Sequence, residues 1–544
     1  MKKLLLALVM PLLAYPCFSQ TTVTLQQSNL PIFIITTKGK TIVNDPKVNV
    51  NLKVIYNGKG QINRVSDKKY HYNNNIGIEL RGNSSQSYPQ QQYGFETKDS
   101  VTNENLDVSL LGMPADNDWV LYAPYNDVSM LRNVLTYNIW NQMDHWGPRT
   151  KFCEVILNGD YRGIYILTES IKKADKRVEI AKLRDIDTTG LDVTGGYIMK
   201  IDKNNNASDK SFVSKIKSTN NTDVAWLYHY PKSKDIHPKQ EAYIHRFIDS
   251  METAINASNF ADPVAGYAKY ISPQSFIDYL IITEFTNNAD AYKSSAYFYK
   301  EKKAADGTKG KMKAGPVWDY NLAIGNVSFC NGAAYTGWMY NGCNPATMPM
   351  PKIWSRLLQD PNFANQVKCR YKELRKDLLS VASINKFLDS YALDTLAQAQ
   401  VRHFTRWKIL GTNPGFFNAY VVNSYSEEMQ KVKSWISNRL TWIDNNLGGI
   451  CTIITALEEN THSSQEGLQV YPNPFSDQFS VVSTSTIYVL QMYDAQGRLV
   501  YTKEGINANN VRLDSEVDNL SPGLYGVKCN TSSGTQTRWM YKGH

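Results

Sequence analysis

From residue 20 to residue 142, hydrophobic and polar residues alternate in short runs bounded by glycine, asparagine and aspartate. Alternation with a period of two residues is typical of strands that bury one face. We therefore predict a β-rich N-terminal part over this range. Its strand-like runs are LPIFIITT, VNVNLKVIY, IGIELRG and QYGFETK.

From residue 143 to residue 450 the pattern changes, and most apolar residues recur at the spacing of helices. A hairpin, CEVILNGDYRGIYILTE, and a strand, GGYIMKID, come first. Helices are predicted for QEAYIHRFIDSMETAI, PQSFIDYLIITEFTN, FANQVKCRYKELRKDLL, INKFLDSYALDTLAQAQVRHF and SYSEEMQKVKSWISNRLTWIDNNL. Ser424 and Glu427 have the spacing of a capping box at the start of the last helix.

Residues 451–466 are polar and are predicted to form a linker, after which residues 467–544 return to short strands. Turn signals separate these strands at Asn473-Pro474, Gln496-Gly497 and Pro522-Gly523. This pattern predicts a small all-β sandwich at the C-terminus. The fold class predicted for the whole chain is therefore α+β.

The N-terminus has the layout of a secretory signal peptide over residues 1–19. Lys2 and Lys3 precede an apolar run that is too short for a membrane-spanning helix, which needs about 20 residues. Nothing later in the sequence is long and apolar enough to cross a membrane. We therefore expect an exported protein without a transmembrane span.

Export changes the interpretation of the cysteines, because disulfides persist in oxidising compartments. Cys330 and Cys343 bracket a loop rich in Gly, Asn and Tyr and are the best candidates for a disulfide; the other cysteines of the mature chain are expected to be buried thiols. The net charge is +9 over 544 residues and no basic stripe concentrates it, so we expect no binding of nucleic acid.

The C-terminal region contains a specific series of segments, namely YPNP, YDAQGR, LSPGLY and a basic last strand that ends in YK. In this order they resemble the sorting domain of the type IX secretion system of Bacteroidetes. The resemblance implies passage through the periplasm and recognition by the type IX secretion machinery. It also implies a final location at the cell surface or in the medium.

A second series of segments lies between residues 27 and 330. It comprises LPI, IGIELRGNSSQSYPQQQYGFET, DNDWVLYAPYNDVSMLRN, LNGDYRGIYILTESIKKADKRVEI, EFTNNADAYKSSAYFYK and GPVWDYNLAIGN. Together these segments resemble the CotH family, which is named for spore coat protein H. The resemblance implies an atypical protein-kinase-like fold with a β-rich N-terminal lobe and a helical C-terminal lobe. It also implies ATP and Mg²⁺, or another divalent cation, as cofactors.

Two aspartates have the placement that phosphoryl transfer needs, which is one carboxylate to orient a hydroxyl and one to hold a metal. Asp290 follows a predicted helix, and Asp319 follows the short strand MKAGPVWD. A hairpin between them would return both side chains to one edge, where a divalent cation would offset their repulsion. The CotH resemblance implies that Asp290 is the catalytic carboxylate and Asp319 the metal ligand. Asn321 is a candidate second metal ligand, and Lys293 is a candidate for stabilising charge beside Asp290.

Several residues are candidates for binding the phosphates of ATP. Kinases pair a strand lysine with a helix glutamate, and the candidates here are Lys172 beside Glu169, and Lys200 in GGYIMK. These lysines are also compatible with a solvated surface.

Another phosphate-binding candidate is the loop that follows the strand IELR. It contains Arg81, Ser84 and Ser85, whose side chains and backbone N–H groups are able to contact phosphate. A plain turn remains the alternative for this loop.

The chain departs from the family pattern, because the expected Pro-Lys-Lys is Pro89-Gln90-Gln91. The sequence also lacks GxGxxGxV, His-Arg-Asp and Asp-Phe-Gly in literal form. We therefore keep two functional hypotheses. The first is an exported CotH-like kinase that phosphorylates a Ser or Thr hydroxyl of a protein substrate. The second is a non-catalytic surface protein of the same fold, which presents aromatic residues such as those at 335–340 to a glycan or protein partner.

Overall fold

The computed structural model describes residues 23–204, 209–307, 309–342, 350–451, 468–473, 475–494 and 498–543. The chain divides into two compact units at residue 453. The architecture is mixed α and β, with a β-rich N-terminal part and an all-β C-terminal sheet. The predicted signal peptide lies outside the described residues, as does nearly all of the predicted linker.

A closed barrel forms the N-terminal part of the larger unit. The strands here are β1 (Gln27–Ser28), β2 (Ile32–Thr36), β3 (Val48–Ile55), β4 (Asn63–Arg64), β5 (Tyr72–Arg81), β6 (Gln92–Thr97), β7 (Asp118–Tyr122), β8 (Thr150–Leu157) and β9 (Asp160–Glu169). The barrel order is β2-β3-β5-β6-β7-β9-β8, and the parallel pairing of β2 with β8 closes it. Trp119 and Leu121 of β7 belong to the barrel core, whereas Val120 and Tyr122 face the core shared with the helices.

Helix α1 (Arg132–Gln142) lies in the range for which the sequence predicts only strands. Most of its residues are buried, including polar ones such as Arg132, Asn133 and Thr136. Because helix prediction relies on apolar residues at helical spacing, a helix that buries polar side chains among apolar ones gives no such signal. The prediction of strands alone up to residue 142 is therefore wrong at α1.

A second sheet follows the barrel. Its strands are β10 (Tyr197–Ile201), β11 (Ser211–Val213), β12 (Ala225–Tyr230), β13 (Ala296–Lys300) and β14 (Met312–Ala314), in the antiparallel order β11-β12-β10-β13-β14. The pairing of β13 with β14, with Phe298 opposite Ala314, forms the hairpin predicted between the two candidate aspartates.

The helices pack around this sheet. They are α2 (Pro238–Asn256), α3 (Pro273–Thr286), α4 (Ile353–Leu357), α5 (Pro361–Arg375), α6 (Val381–Asp389), α7 (Ala399–Arg406) and α8 (Tyr425–Asn446). The single long helix predicted over 384–404 is divided, because a π-helical segment at Ser390–Thr395 follows α6 and α7 begins afterwards. Among the described residues, no helix combines the length and apolar character that crossing a bilayer requires.

The start of α8 contains part of the predicted capping box. The Glu427 N–H donates to the Ser424 hydroxyl at 3.1 Å, as expected. The Glu427 carboxylate accepts from the N–H of Asn423 at 2.8 Å, one residue before the predicted donor.

A disulfide links Cys369 on α5 to Cys451, just beyond α8, across a sequence separation of 82. The prediction that these two are buried thiols is wrong, because sequence spacing does not show that α5 and the end of α8 meet in space. Cys153 and Cys529 are buried thiols, as predicted. Cys343 lies outside the described residues, so its predicted pairing with Cys330 stays a prediction.

The smaller unit is all-β. Its strands are β15 (Gln469–Tyr471), β16 (Phe479–Asp494), β17 (Leu499–Leu513), β18 (Gly523–Thr531) and β19 (Gly534–Lys542). The long strand β16 pairs with β15, β17 and β18, and β18 pairs with β19. The sequence predicts a sandwich; hydrogen bonds join the described strands into one sheet around its own apolar core.

Candidate active site

Asp290 and Asp319 lie on two neighbouring loops at the same end of the β13–β14 hairpin. The loop of Asp290 connects α3 to β13, and the loop of Asp319 follows β14. The N–H of Ile324 donates to the carbonyl oxygen of Thr286 at 2.7 Å, which joins the second loop to the end of α3. The Asn288 amide donates to the carbonyl oxygen of Asp319 at 3.5 Å. The hairpin and these contacts hold the two loops side by side.

The charges of the two carboxylates interact, and the region between the two loops that carry them is here called the cleft. Both side chains are enclosed on most sides but keep part of their surface open to solvent. In the described part of the chain, neither carboxylate forms an ion pair or a side-chain hydrogen bond. Burial raises the pKa of Asp290. Burial and the negative charge of Asp290 raise the pKa of Asp319 to about 6. The negative charges of the two carboxylates therefore interact, and among the described residues no cation forms an ion pair with either carboxylate.

Helix α1 fixes the backbone of the Asp319 loop. The N–H of Asp319 donates to the Tyr137 hydroxyl at 3.1 Å, and the N–H of Tyr320 donates to Asn133 Oδ1 at 2.6 Å. Asp319 has a φ of +65°, a left-handed conformation that is uncommon outside glycine. Because this conformation is unfavourable by itself, the contacts from α1 are needed to hold it.

Arg132 ties the same loop to the helical part. Its Nε donates to the carbonyl oxygen of Ala323 at 3.0 Å, and its guanidinium pairs with Asp127 at 2.5 Å and with Glu428 of α8 at 2.8 Å. These residues are buried. No role is predicted from the sequence for Arg132, Asn133 or Tyr137, although the first two form the Arg-Asn end of the segment DNDWVLYAPYNDVSMLRN that resembles the CotH family.

Arg81 ends strand β5 and provides a positive charge near Asp319. Its guanidinium lies over the Trp318 ring, 4.9 Å from the ring centre. The charge of Arg81 offsets part of the increase in the pKa of Asp319, so the two groups are within electrostatic range. None of the ion pairs among the described residues includes Arg81. A cation therefore lies within electrostatic range of Asp319.

The serines that follow Arg81 lie in a 3-10 turn at Ser84–Ser87. Gly82 precedes this turn with a φ of +102°, and a Cβ there would meet the Ser85 hydroxyl at 1.9 Å, so only glycine fits. The hydroxyls of Ser84 and Ser85 make no hydrogen bond within the described ranges. Their predicted contact with phosphate stays a prediction.

Lys200 lies on β10, and its charge acts on His229, as does the charge of Arg81. Its ammonium pairs with Asp202 at 2.9 Å, and the charge of Asp202 contributes to the raised pKa values of Asp290 and Asp319. Burial lowers the pKa of His229 to about 4, and the positive charges of Lys200 and Arg81 add to this effect. Lys200 is therefore paired with Asp202, and a direct role in binding phosphate stays a prediction.

Lys293 is close to Asp290, as the sequence suggests, but its direct contact is different. The ammonium is buried and donates to the backbone carbonyl oxygen of Ala289, with the Cys330 sulfur 3.9 Å away. Burial lowers the pKa of Lys293 to about 8, and the charge of Asp290 opposes this decrease. Lys293 thus supports the Asp290 loop, and a role in stabilising charge stays a prediction.

Lys172 and Glu169 do not form the lysine–glutamate pair that the sequence suggests. Glu169 is buried and accepts two bonds from Arg149, each at 2.8 Å. Lys172 instead pairs with Asp116 and Asp118, at 3.2 and 2.5 Å. Glu169 ends strand β9 and Lys172 lies beyond it, and their side chains join different groups of charged residues, which sequence proximity does not reveal.

The donors available for a divalent metal are oxygen atoms. Asn321 lies two residues after Asp319, and its amide nitrogen donates to Asn126 Oδ1 at 3.4 Å. In the described ranges no three His, Cys, Asp or Glu side chains cluster closely enough to form a metal site by themselves. Mg²⁺ commonly uses one or two carboxylates, with water and substrate phosphates as its other ligands. The uncompensated pair Asp290 and Asp319 fits this pattern of ligands.

Gln90 and Gln91 replace the two lysines of the family pattern, and both glutamines form hydrogen bonds to the backbone. The Gln90 amide donates to the carbonyl oxygens of Arg162 and Ile164, at 3.2 and 2.8 Å. The Gln91 amide donates to the carbonyl oxygen of Tyr88 at 2.6 Å. Both glutamine side chains therefore bind backbone groups. Because they replace two lysines of the family pattern, two positive charges are absent from this segment.

Comparison with known families assigns the larger unit. Residues 78–443, well over half of the chain, match the model of the family described as CotH kinase protein. The chain belongs to the CotH kinase protein family. The matched range contains Asp290, Asp319, Arg81 and helix α1, so the cleft lies within the CotH domain.

Residues 469–542 match the secretion system C-terminal sorting domain. This domain indicates a protein that is secreted or held at the cell surface and that interacts with the secretion machinery. No curated protein matches this CotH family member.

Two solved structures share limited regions with the chain. PorZ, an essential surface component of the type IX secretion system of Porphyromonas gingivalis, is 20% identical, with 14% of this chain and 12% of PorZ covered and a TM-score of 0.13. A DUF3244 family protein with an immunoglobulin-like β-sandwich fold from Bacteroides vulgatus is 12% identical, with 14% of this chain and 95% of that protein covered and a TM-score of 0.12. At these TM-scores neither similarity supports a conclusion about fold or function.

The raised pKa of Asp319 leads to a prediction about stability in the absence of metal. Its pKa is about 6 in the folded protein against 3.8 for an unperturbed Asp, so the native state binds this proton more tightly. The contribution of Asp319 to the free energy of unfolding is therefore highest below pH 3.8 and is lost as the pH rises to 6. Between pH 3.8 and pH 6, the free energy of unfolding of the wild type should fall by at most roughly 3 kcal/mol more than that of Asp319→Asn. Denaturant unfolding of both proteins in the presence of EDTA measures their unfolding free energies. A difference between the two proteins that does not change with pH would contradict the prediction.

Proposed function

We propose that this protein is an exported phosphotransferase that moves the γ-phosphate of ATP to a Ser or Thr hydroxyl of a protein, with a divalent metal ion. The observation that carries the proposal is the pair Asp290 and Asp319, which lie on neighbouring loops with their carboxylates unpaired among the described residues and with Arg81 within electrostatic range of Asp319. In this proposal the barrel and the helical part are the two lobes of a kinase-like fold.

Asp319 is the proposed metal ligand, and Asn321 is the second candidate. The oxygen donors of the cleft suit Mg²⁺, which prefers carboxylate and amide oxygens. When bound, the ion supplies positive charge that neutralises phosphate oxygens. Arg81 and Lys200 supply further positive charge from the barrel and from the second sheet, and this charge would offset the negative charge of the triphosphate.

Asp290 is the proposed catalytic carboxylate. It accepts a hydrogen bond from the acceptor hydroxyl and thereby directs the hydroxyl oxygen at the γ-phosphorus. As the new oxygen–phosphorus bond forms, the bond from the γ-phosphorus to the bridging oxygen breaks and ADP leaves. The hydroxyl proton passes to Asp290 and then to solvent, which balances the transfer.

Nucleotide binding by the full chain tests the proposal. Wild type should bind ATP with Mg²⁺ more tightly than without it, because the metal joins the triphosphate to Asp319. Asp319→Asn should weaken the Mg²⁺-dependent affinity by about tenfold or more, since a charge-assisted contact is lost. The matched control is Asp394→Asn, on an exposed position outside the cleft, which should bind as wild type. Equal affinity of wild type and Asp319→Asn in calorimetry would reject Asp319 as the metal ligand.

A second candidate function is supported by the aromatic residues of the 335–340 region. Trp338 stacks on Tyr340 with ring centres 5.8 Å apart and lies 4.7 Å from Trp442. Trp338 and Tyr340 line a mostly apolar cavity of about 310 Å³ between α3, α5 and α8. Exposed aromatic faces bind sugars and peptides, so this region favours the hypothesis of a non-catalytic protein that binds a glycan or a protein partner. Glycan binding without any response to nucleotide would support it.

A further inference from the structure

Three buried asparagines meet at the loop that carries Asp319. Asn126 lies between β7 and α1, Asn326 lies in the Asp319 loop, and Asn418 lies in the connection between α7 and α8. Each of the three is at most 6% exposed. These segments are far apart along the chain, so only the tertiary fold brings the three side chains together.

The side chain of Asn326 holds the backbone close to Asp319. Its Nδ2 donates to the carbonyl oxygen of Asn321 at 3.0 Å and to that of Asn126 at 2.9 Å. Asn321 is two residues beyond Asp319 and is the second candidate metal ligand. The Oδ1 of Asn321 accepts no hydrogen bond from the described residues and, unlike the Oδ1 of Asn418, is not closed to solvent. Asn326 therefore fixes the backbone of a residue whose Oδ1 a ligand can reach.

Asn418 determines which way the amide of Asn326 is turned. The Nδ2 of Asn418 donates to Asn326 Oδ1 at 2.8 Å and to the carbonyl oxygen of Asn126 at 2.8 Å. Because both acceptors are oxygen atoms, Asn418 has to present its nitrogen to them. Since the oxygen of the Asn326 amide faces Asn418, its nitrogen faces the carbonyl oxygen of Asn321.

The arrangement is unfavourable for Asn418 itself. Its Oδ1 is buried and has no hydrogen-bond partner in the described part of the chain. Buried side-chain oxygens are nearly always paired in folded proteins, because an unpaired one lowers stability. The presence of an asparagine at this position is therefore explained by the two bonds that its nitrogen donates.

We propose that Asn418, acting through Asn326, is a positioning residue of the Asp319 loop and holds Asn321 in place for the metal ion. This inference rests on the proposed function, because the metal ion belongs to that function. It gives the connection between α7 and α8 a part in the site, although Asn418 contributes no group to the metal. Since Asn418 acts through Asn326, removing both amides should weaken metal binding no more than removing the amide of Asn326 alone.

Titrations of the full chain with Mn²⁺ alone, followed by calorimetry, test this order of action. Mn²⁺ accepts the same oxygen ligands as Mg²⁺. Asn326→Leu replaces the amide with an apolar side chain of similar size and should weaken Mn²⁺ binding by about tenfold. Asn418→Leu should weaken it by about three- to tenfold. The double variant should bind Mn²⁺ as Asn326→Leu does.

Wild-type affinity in Asn418→Leu would overturn the inference. So would a double variant weakened by the product of the two single effects, because independent contributions multiply. If Asn326→Leu does not fold, Asn418→Leu decides alone, since it leaves the side chain of Asn326 in place.

The matched control is Asn63→Leu, which removes a buried asparagine on β4, outside the Asp319 loop. The Asn63 amide donates to the carbonyl oxygen of Leu30 at 2.9 Å, and its oxygen accepts the N–H of Asn57 at 2.7 Å. Asn63→Leu should lower the thermal midpoint and leave the Mn²⁺ affinity unchanged. An equal loss of affinity in this control would show a general effect of lower stability and would overturn the positioning role.

Asp319→Asn in the same series separates this inference from the proposed function. If wild type binds Mn²⁺ and only Asp319→Asn loses binding, the role of Asn418 is wrong and the proposed metal ligand stands. If wild type does not bind Mn²⁺, both are wrong.

Discussion

Replacing Asp290 with asparagine is expected to lower kcat for phosphate transfer by about 10²–10⁴-fold, the range observed when a general base is removed. An amide has nearly the same shape as the carboxylate but does not accept the hydroxyl proton. The KM for Mg²⁺-ATP should change little, because Asp319 and Arg81 remain. Transfer of labelled γ-phosphate to a generic Ser/Thr acceptor protein, measured over a range of ATP concentrations, separates the two parameters.

The Asp290 variant has two controls. Asp394→Asn removes an exposed carboxylate away from the cleft and should keep the wild-type kcat. Asp319→Asn should lose nucleotide affinity as well as rate, because it removes the proposed metal ligand. If Asp290→Asn kept the full rate while Asp319→Asn lost it, the catalytic carboxylate would have to be another residue.

Removing the Cys369–Cys451 disulfide is expected to lower the free energy of unfolding of the larger unit by about 4–5 kcal/mol in the chain-entropy model. The bond closes a long loop, with a sequence separation of 82, so its loss frees many conformations of the unfolded chain. Hydrogen bonds such as the one from Lys368 Nζ to the carbonyl oxygen of Leu447, at 2.8 Å, still join the end of α8 to α5. Denaturant unfolding of the double variant Cys369→Ser, Cys451→Ser against wild type measures the change.

The double variant is preferred to reduction with a thiol, because a reductant would act on every disulfide of the chain. The single variant Cys369→Ser should be about as unstable as the double variant, since either change breaks the bond. The larger unit must be followed by its own signal, because the chain has two compact units and two transitions are expected. An unchanged midpoint would show that the bond does not stabilise this unit.

Helix prediction from the sequence succeeded where one face of a helix is apolar and the other polar. Helices α2, α5 and α8 have this pattern, and their bounds lie within a few residues of the predicted ones. Helix α3 is buried on nearly all sides and was still predicted, because its residues are mostly apolar, whereas α1 was missed because polar residues occupy buried positions among its apolar ones. The segment 384–404 was predicted as one helix, because a local π-helical interruption leaves the apolar spacing nearly unchanged.

The sequence by itself determined the family, the export signal at the C-terminus and the two loops that carry Asp290 and Asp319. These features depend on local motifs and on the order of neighbouring strands, and both are properties of the sequence. The tertiary structure alone decided which side chains surround the aspartates. Arg81 and Tyr137 are far from Asp319 along the chain, and only the packing of the barrel and of α1 brings them to the Asp319 loop. Such long-range contacts leave no periodic pattern, so no local pattern in the sequence shows them.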